Sequence, residues 1–175
     1  MRRIVFFISV ILSFSVLGQT LHKTEIMNTV KRVADHVVMN TTYLYYDKGK
    51  GVLIDDLQKY GYNSNIVPQN GYNDWKYWNG VIQIGFNRLG EETGDAKYQR
   101  YTQKNFEFFF KDYAYLKAIY DGKNQWNFPV AQGLNITQLD DCGAMGASLI
   151  ELYMADKKPE YKAYIDMADK HIREK

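Results

Sequence analysis

The segment Trp78–Tyr98, WNGVIQIGFNRLGEETGDAKY, gives the clearest indication of the fold. Its apolar residues recur at helical spacing. The turn Thr93-Gly94-Asp95 then ends one helix and starts the next, with Asp95 as the N-cap. The pattern therefore predicts a helical hairpin whose helices run from about Asp74 to Glu92 and from Asp95 to about Tyr113.

The same hairpin pattern occurs a second time. A shift of 63 positions aligns Gly80 with Gly143, and it also aligns apolar and aromatic pairs, which are Phe86/Leu149, Leu89/Leu152, Tyr98/Tyr161 and Tyr101/Tyr164. The charged positions do not match, as expected when the repeated unit is a packing unit. The second hairpin is predicted from about Asp140 to Ala155 and from about Pro159, a first-turn proline, to the chain end.

Other segments are predicted around these hairpins. Thr24–Tyr46 is predicted as one helix because its apolar residues recur at helical spacing, and the Asp47–Gly51 segment ends it. The connectors 51–73 and 114–138 are long and contain Gly and Pro, with Asn and Tyr frequent in the first of them. Short turns on one side and long loops on the other predict an all-α toroid or solenoid of hairpins, with a binding site on the long-loop side.

The N-terminus predicts export. Arg2 and Arg3 precede an apolar stretch, Ile4–Val16, and Gly18 follows at a cleavage point. This stretch is too short to span a membrane as a helix. Residues 1–18 are therefore predicted to be a signal peptide, which makes the mature protein periplasmic or secreted, with no membrane insertion after cleavage.

Charge and metal-ligand residues exclude several classes of function. The net charge is +2, without a run of Lys or Arg, so no nucleic-acid partner is expected. The three histidines have no ligand spacing to each other or to Cys142, the one cysteine, so no metal or other cofactor is expected. The tyrosines and tryptophans fit either a packed core or the recognition of sugar rings.

Two helix starts carry the candidate site residues. Asp140 and Asp141 open the fourth predicted helix, followed by Gly143, Ala144 and Gly146, small residues that permit close approach. Both aspartates are candidate catalytic residues, and Asp141 is the better placed to face a pocket. The alternative for Asp140 is helix capping.

The second helix start lies at Asn73–Gly80. Its candidate substrate-binding residues combine two indoles, a phenol and an amide, and are Trp75, Tyr77, Trp78 and Asn79. The repeat places Trp78 opposite Asp141, so a ring and a carboxylate stand at equivalent positions, as a sugar site requires. The alternative is a hydrophobic plug with polar flanks.

The residues Trp78–Val81, Glu92–Tyr98, and Leu139–Gly146 followed by Leu149–Tyr153 together resemble glycoside hydrolase families 88 and 105, the unsaturated glucuronyl and rhamnogalacturonyl hydrolases. The resemblance covers about residues 25–175. It implies an (α/α)6 barrel, of which residues 19–175 form the N-terminal part with about two and a half hairpins. The last helix lacks a stop signal, which also indicates a longer protein.

The resemblance implies hydration of the C4–C5 double bond of an oligosaccharide ending in an unsaturated uronic acid. Asp141 matches the first of two catalytic aspartates in the family, and the principal acid is expected after Lys175. One alternative is a non-catalytic, exported glycan-binding helical protein. Another is a sugar epimerase or a conventional inverting glycosidase, although the His or Glu pair that such enzymes need is not found.

Overall fold

The computed structural model describes residues 22–120 and 128–174. The chain divides into two compact units, Met1–Met39 and Asn40–Lys175. In the first unit the described part is a helix, α1, which runs over residues 22–40. Ile26, Val30 and Val33 share one face of this helix, as their spacing predicts. The predicted signal peptide lies outside the described residues.

The second unit begins with a small antiparallel sheet instead of the predicted helix end. Helix α1 ends at residue 40, and the strands are β1 (Tyr45–Asp47), β2 (Val52–Ile54) and β3 (Ile66–Pro68), in the order β2-β1-β3. The prediction of a helix up to Tyr46 is therefore wrong. β-branched Thr41 and Thr42 and the tyrosines after them favour extended chain over helix.

The turn between β1 and β2 explains why the chain reverses there. The Asp47 carboxylate accepts hydrogen bonds from the backbone N–H groups of Gly49 and Lys50, at 2.8 and 3.1 Å. A side chain that bonds to the backbone two and three residues later stabilises a tight turn. Asp47–Gly51 is thus a hairpin turn within a sheet, where the sequence pattern predicted a helix stop.

Most of the described residues are helical, which confirms the all-α fold class. The helices are α2 (Leu57–Tyr60), α3 (Tyr77–Thr93), α4 (Ala96–Ile119), α5 (Ala131–Leu134), α6 (Leu139–Ala155) and α7 (Pro159–Arg173), with a 3-10 turn at Gly71–Asn73. None of the described helices combines the length and the apolarity that a membrane span requires. Closure of the hairpins into a toroid stays a prediction.

The first predicted hairpin, α3 and α4, is present with its predicted caps. Gly94 has φ 68°, the left-handed conformation that ends helices, and its N–H bonds to the Gly90 carbonyl at 2.9 Å. The Asp95 carboxylate accepts from the Lys97 N–H at 3.0 Å, as an N-cap does. Helix α4 continues past the predicted end at Tyr113, because fully buried Leu116 extends its buried face.

Helices α3 and α6, the first helices of the two repeats, pack directly on each other. A Cβ atom on Gly80 would lie 2.4 Å from the carbonyl carbon of Ala144, so this contact requires glycine. One turn further on, the buried Ser148 hydroxyl donates to Gln83 Oε1 at 2.8 Å. Because early residues of α3 meet early residues of α6, both helices start at the same end of the unit.

Candidate functional site

Asp141 connects the two helix starts. Its side chain is buried, with 3% of the residue exposed, and its Oδ1 accepts a hydrogen bond from the Tyr77 N–H at 2.6 Å. Tyr77 is the first residue of α3, so its N–H has no partner within its own helix. A carboxylate at this position also interacts favourably with the positive end of the helix. Asp141 of α6 therefore caps α3 across the helix interface.

This geometry corrects the predicted order of the two aspartates. Asp141 is not the carboxylate open to a pocket, because it is buried beneath the start of α3. Asp140 is exposed, and its Oδ1 accepts from the Asp141 N–H at 2.9 Å. Asp140 is thus the carboxylate of the pair that a ligand in solvent reaches first. The alternative role of Asp140 as the helix cap is not observed, because the N-cap of α6 is Gln138 and it has no side-chain cap bond.

Two aromatic side chains lie exposed beside this pair. Tyr77 is 45% exposed and Trp78 is 48% exposed, and their rings meet edge to face with centroids 5.3 Å apart. Leu139, at the start of α6, is also exposed. We call these three residues and Asp140 the helix-start surface. It combines flat rings, an aliphatic side chain and a carboxylate at one end of the paired helices.

Trp75 and Asn79 are not on this surface. The Trp75 ring is 1% exposed and packs against Phe109 and Tyr164, with centroid distances of 4.2 and 4.7 Å, so it has no face for a sugar. Asn79 is also 1% exposed, and its amide donates to the carbonyl oxygens of Gly71 and Asp74. The prediction that these two residues bind substrate is corrected, because Trp75 belongs to the core and the Asn79 amide stabilises the turn before α3.

A residue that the sequence analysis did not select, Asp74, lies at a second opening. It lines a cleft of about 350 Å³ together with residues of β1, β3 and the turn before α3, and its lining includes Tyr46, Lys48, Val67, Pro68, Gln69, Asn70, Gly71 and Phe128. Burial raises the pKa of the Asp74 carboxyl, and the Asp141 charge adds to this. An aspartate just before an indole gives no sequence signal for such burial.

The carboxylate of Asp74 is held by backbone donors. It accepts from the Trp75 N–H at 2.9 Å and from the N–H of Val130. Val130 is fully buried and has φ 50° and ψ 32°, a left-handed conformation that is strained for a β-branched residue. Packing around Val130 therefore maintains an unfavourable backbone geometry that directs its N–H at Asp74.

The described residues, 22–120 and 128–174, include no group of three His, Cys, Asp or Glu side chains placed to hold a metal ion. Cys142 is a free, buried thiol, and burial raises its pKa, which disfavours the reactive thiolate. The helix-start surface and the cleft present carboxylates, aromatic rings, amides and a lysine.

No protein-family model matches the chain, and no curated protein matches it either. The resemblance to glycoside hydrolase families 88 and 105 stays a prediction that depends on the sequence motifs.

Proposed function

We propose that the protein is a hydrolase of oligosaccharides that end in a 4,5-unsaturated uronic acid, built as an (α/α)6 toroid and exported from the cell. The observation that supports this most directly is the hydrogen bond from the Tyr77 N–H to Asp141, 2.6 Å long. It holds two repeat-related helix starts together, so that the Trp78 ring and the Asp140 carboxylate lie at the same end of the unit.

The proposed reaction adds water across the C4–C5 double bond of the uronic acid. A carboxylic acid donates its proton to C4, and the positive charge that develops at C5 is shared with the ring oxygen. Water adds at C5 and returns one proton to the carboxylate. The resulting hemiketal opens by breaking the bond between C5 and the ring oxygen, which leaves a ketone at C5 and a hemiacetal at C1. This hemiacetal then collapses to an aldehyde, which breaks the bond to the neighbouring sugar and releases it as an alcohol. The overall reaction consumes one water molecule and needs no cofactor.

Each residue of the helix starts has a role in this proposal. The Tyr77 and Trp78 rings stack on the substrate, and Asp140 accepts hydrogen bonds from its hydroxyl groups. Asp141 is a positioning residue, because it fixes the start of α3 from which both rings project. The resemblance assigns the principal acid to an aspartate that follows Lys175, so the assay requires the full product of the gene.

The test measures loss of the ultraviolet absorbance of the conjugated uronic acid in disaccharides made by a polysaccharide lyase. Replacement of Asp140 by Asn is expected to lower kcat/KM by about 10- to 100-fold, because a hydrogen bond to a charged group contributes ~1.5–3 kcal/mol. Trp78→Ala is expected to raise KM with a smaller change in kcat, because it removes binding area. Asp55→Asn, an exposed aspartate in the sheet region, is the matched control and should leave both constants unchanged.

The variant Asp141→Asn separates the hydrogen bond that Asp141 accepts from the charge that it carries. Its amide oxygen still accepts the Tyr77 N–H, so both the melting temperature and turnover should stay close to wild type. Asp141→Ala removes the acceptor and should lower turnover strongly, and activity close to wild type in both Asp140→Asn and Asp141→Ala would refute the assignment of this site. Unchanged absorbance with every lyase product would refute the proposed reaction itself.

The second candidate is a non-catalytic glycan-binding protein. The engagement of Asp141 in a helix cap favours it, since a capping carboxylate is less available for chemistry than a free one. This candidate predicts that oligosaccharides bind to the protein and that binding falls in Trp78→Ala, while the absorbance of unsaturated disaccharides never changes.

A further inference from the structure

The cleft beside the sheet is lined by none of the four residues of the helix-start surface. Its volume of about 350 Å³ lies within the range of pockets that hold small molecules, ~300–1,000 Å³. Strands β1 and β3 form one side, and the turn before α3 forms another. Two strands of the sheet and the turn before α3 thus line a single cleft.

The lining of the cleft presents more polar than apolar surface. Tyr46, Val67 and Pro68 are half-buried and present ring or aliphatic surface, and Gln69 is an exposed amide. Asn70 is less available, because its side chain already bonds to Thr42 and to the Tyr72 N–H. Such a lining suits a polar ligand that also has an apolar face.

The two charged groups of the lining are of opposite sign. The Lys48 side chain is exposed at the cleft, and Asp74 is held in place from within by the N–H groups of Trp75 and Val130. An ammonium donor and a carboxyl acceptor together suit hydroxyl groups, which donate and accept. With both groups charged the cleft has no net charge from its lining, so it favours a neutral ligand over an ionised one.

We propose that this cleft binds a neutral, hydroxyl-rich sugar unit, with Lys48 and Asp74 bonding to its hydroxyl groups and Tyr46 and Pro68 contacting its C–H face. The site is separate from the helix-start surface and does not depend on the proposed hydrolase activity. The strained backbone at Val130 is explained by this role, since the strain positions the donor that fixes Asp74.

Saturation-transfer NMR with D-galactose, D-glucose and L-rhamnose, each alone with the full chain, tests the proposal. We expect transfer to at least one of these sugars, with at least tenfold weaker binding in Lys48→Ala and in Asp74→Asn. Asparagine keeps an oxygen that can accept both backbone N–H groups, and Lys48 is exposed, so both variants should fold. Lys59→Ala, an exposed lysine outside the cleft lining, is the matched control and should bind as wild type.

These sugars have no unsaturated bond, so the result is independent of the absorbance assay. Absence of transfer to all three sugars, in protein that melts cooperatively, would refute the proposal. Equal binding by wild type and both cleft variants would also refute it, as would binding that is lost in Trp78→Ala alone. D-galacturonate is expected to bind no better than D-galactose, and a tenfold preference for it would contradict recognition by a cleft without net charge.

Discussion

The starts of α3 and α6 occupy equivalent positions in the repeat, yet they are covered very differently. At Gly80 the backbone of α6 lies so close that an added Cβ would clash at 2.4 Å, whereas a Cβ on Gly143 would meet nothing within 4 Å. Trp75 before α3 is a core residue, and its repeat equivalent Gln138 is half-buried and polar.

Equivalent positions in the two repeats therefore have the same secondary structure but differ in burial. Helices α3 and α6 both have 17 residues. Tyr98 and Tyr161, the equivalent tyrosines of the helices that follow them, are both 1% exposed. What differs is the neighbour: α3 is covered by α6, while the corresponding face of α6 at Gly143 is exposed. Four pairs of substitutions test how far this difference in environment extends.

The largest effect is expected when the start of α3 is made like that of α6. Trp75→Gln removes a buried indole from contact with Phe109 and Tyr164 and leaves an amide in an apolar core. Loss of a buried Trp costs about 3–5 kcal/mol, and urea unfolding measures it. Trp78→Ala is the control and should change the free energy of unfolding by at most ~0.5 kcal/mol, as exposed sites do. Equal losses would refute the assignment of core and surface indoles.

The two glycines give the next largest contrast. Gly80→Ala should destabilise by about 3 kcal/mol, the upper part of the range for overpacked contacts, because α3 and α6 must move apart. Gly143→Ala meets no neighbour and should stabilise by up to ~1 kcal/mol through helix propensity. The difference between the two denaturation midpoints measures the close approach, and a loss of similar size at Gly143 would mean that its face is covered.

The two aspartates at the start of α6 are expected to differ less. Asp141→Ala leaves the Tyr77 N–H without its acceptor, which costs about 1–3 kcal/mol. Asp140→Ala removes an exposed negative charge from the first turn of α6 and should cost ~1 kcal/mol or less. Thermal melts at one pH compare the stability of the two variants. A larger loss of stability in Asp140→Ala than in Asp141→Ala would contradict the cap between the helices.

The smallest effect is a difference in pH dependence between two other aspartates. Burial raises the pKa of Asp74, so the native state binds its proton more tightly than the unfolded state does. Its contribution to stability therefore falls as the pH rises above the unfolded value of about 3.9. Asp74→Asn should accordingly gain stability relative to wild type between pH 4 and the raised pKa.

Asp47 has the opposite shift and is the control. Hydrogen bonds, foremost from the Asn63 amide, lower its pKa, so its contribution is present above about pH 3.9 and is lost as the pH falls through the lowered native pKa. The deficit of Asp47→Asn should therefore shrink on acidification. Urea midpoints from pH 3 to 7 measure both slopes, and slopes of the same sign would contradict the two environments.

Much of the helical architecture could be predicted because it depends on local rules. The Gly94 and Asp95 caps, the start of α7 at Pro159 and the periodicity of α3 and α6 all follow from residues close in sequence. The sheet was missed because its strands have three residues each, too few for alternation to be recognised. Helix α4 was predicted too short because only tertiary burial of Leu116 shows that its core face continues.

The candidate site divides in the same way. Local patterns were enough to predict an all-α chain with aromatic residues and carboxylates at helix starts, because caps and periodicity depend on neighbouring residues. Which of these side chains face solvent could be seen only in the folded chain: Trp78 and Asp140 do, while Trp75 and Asp141 are buried. Burial is imposed by elements distant in sequence, since α6 covers α3 through contacts between residues more than 60 positions apart.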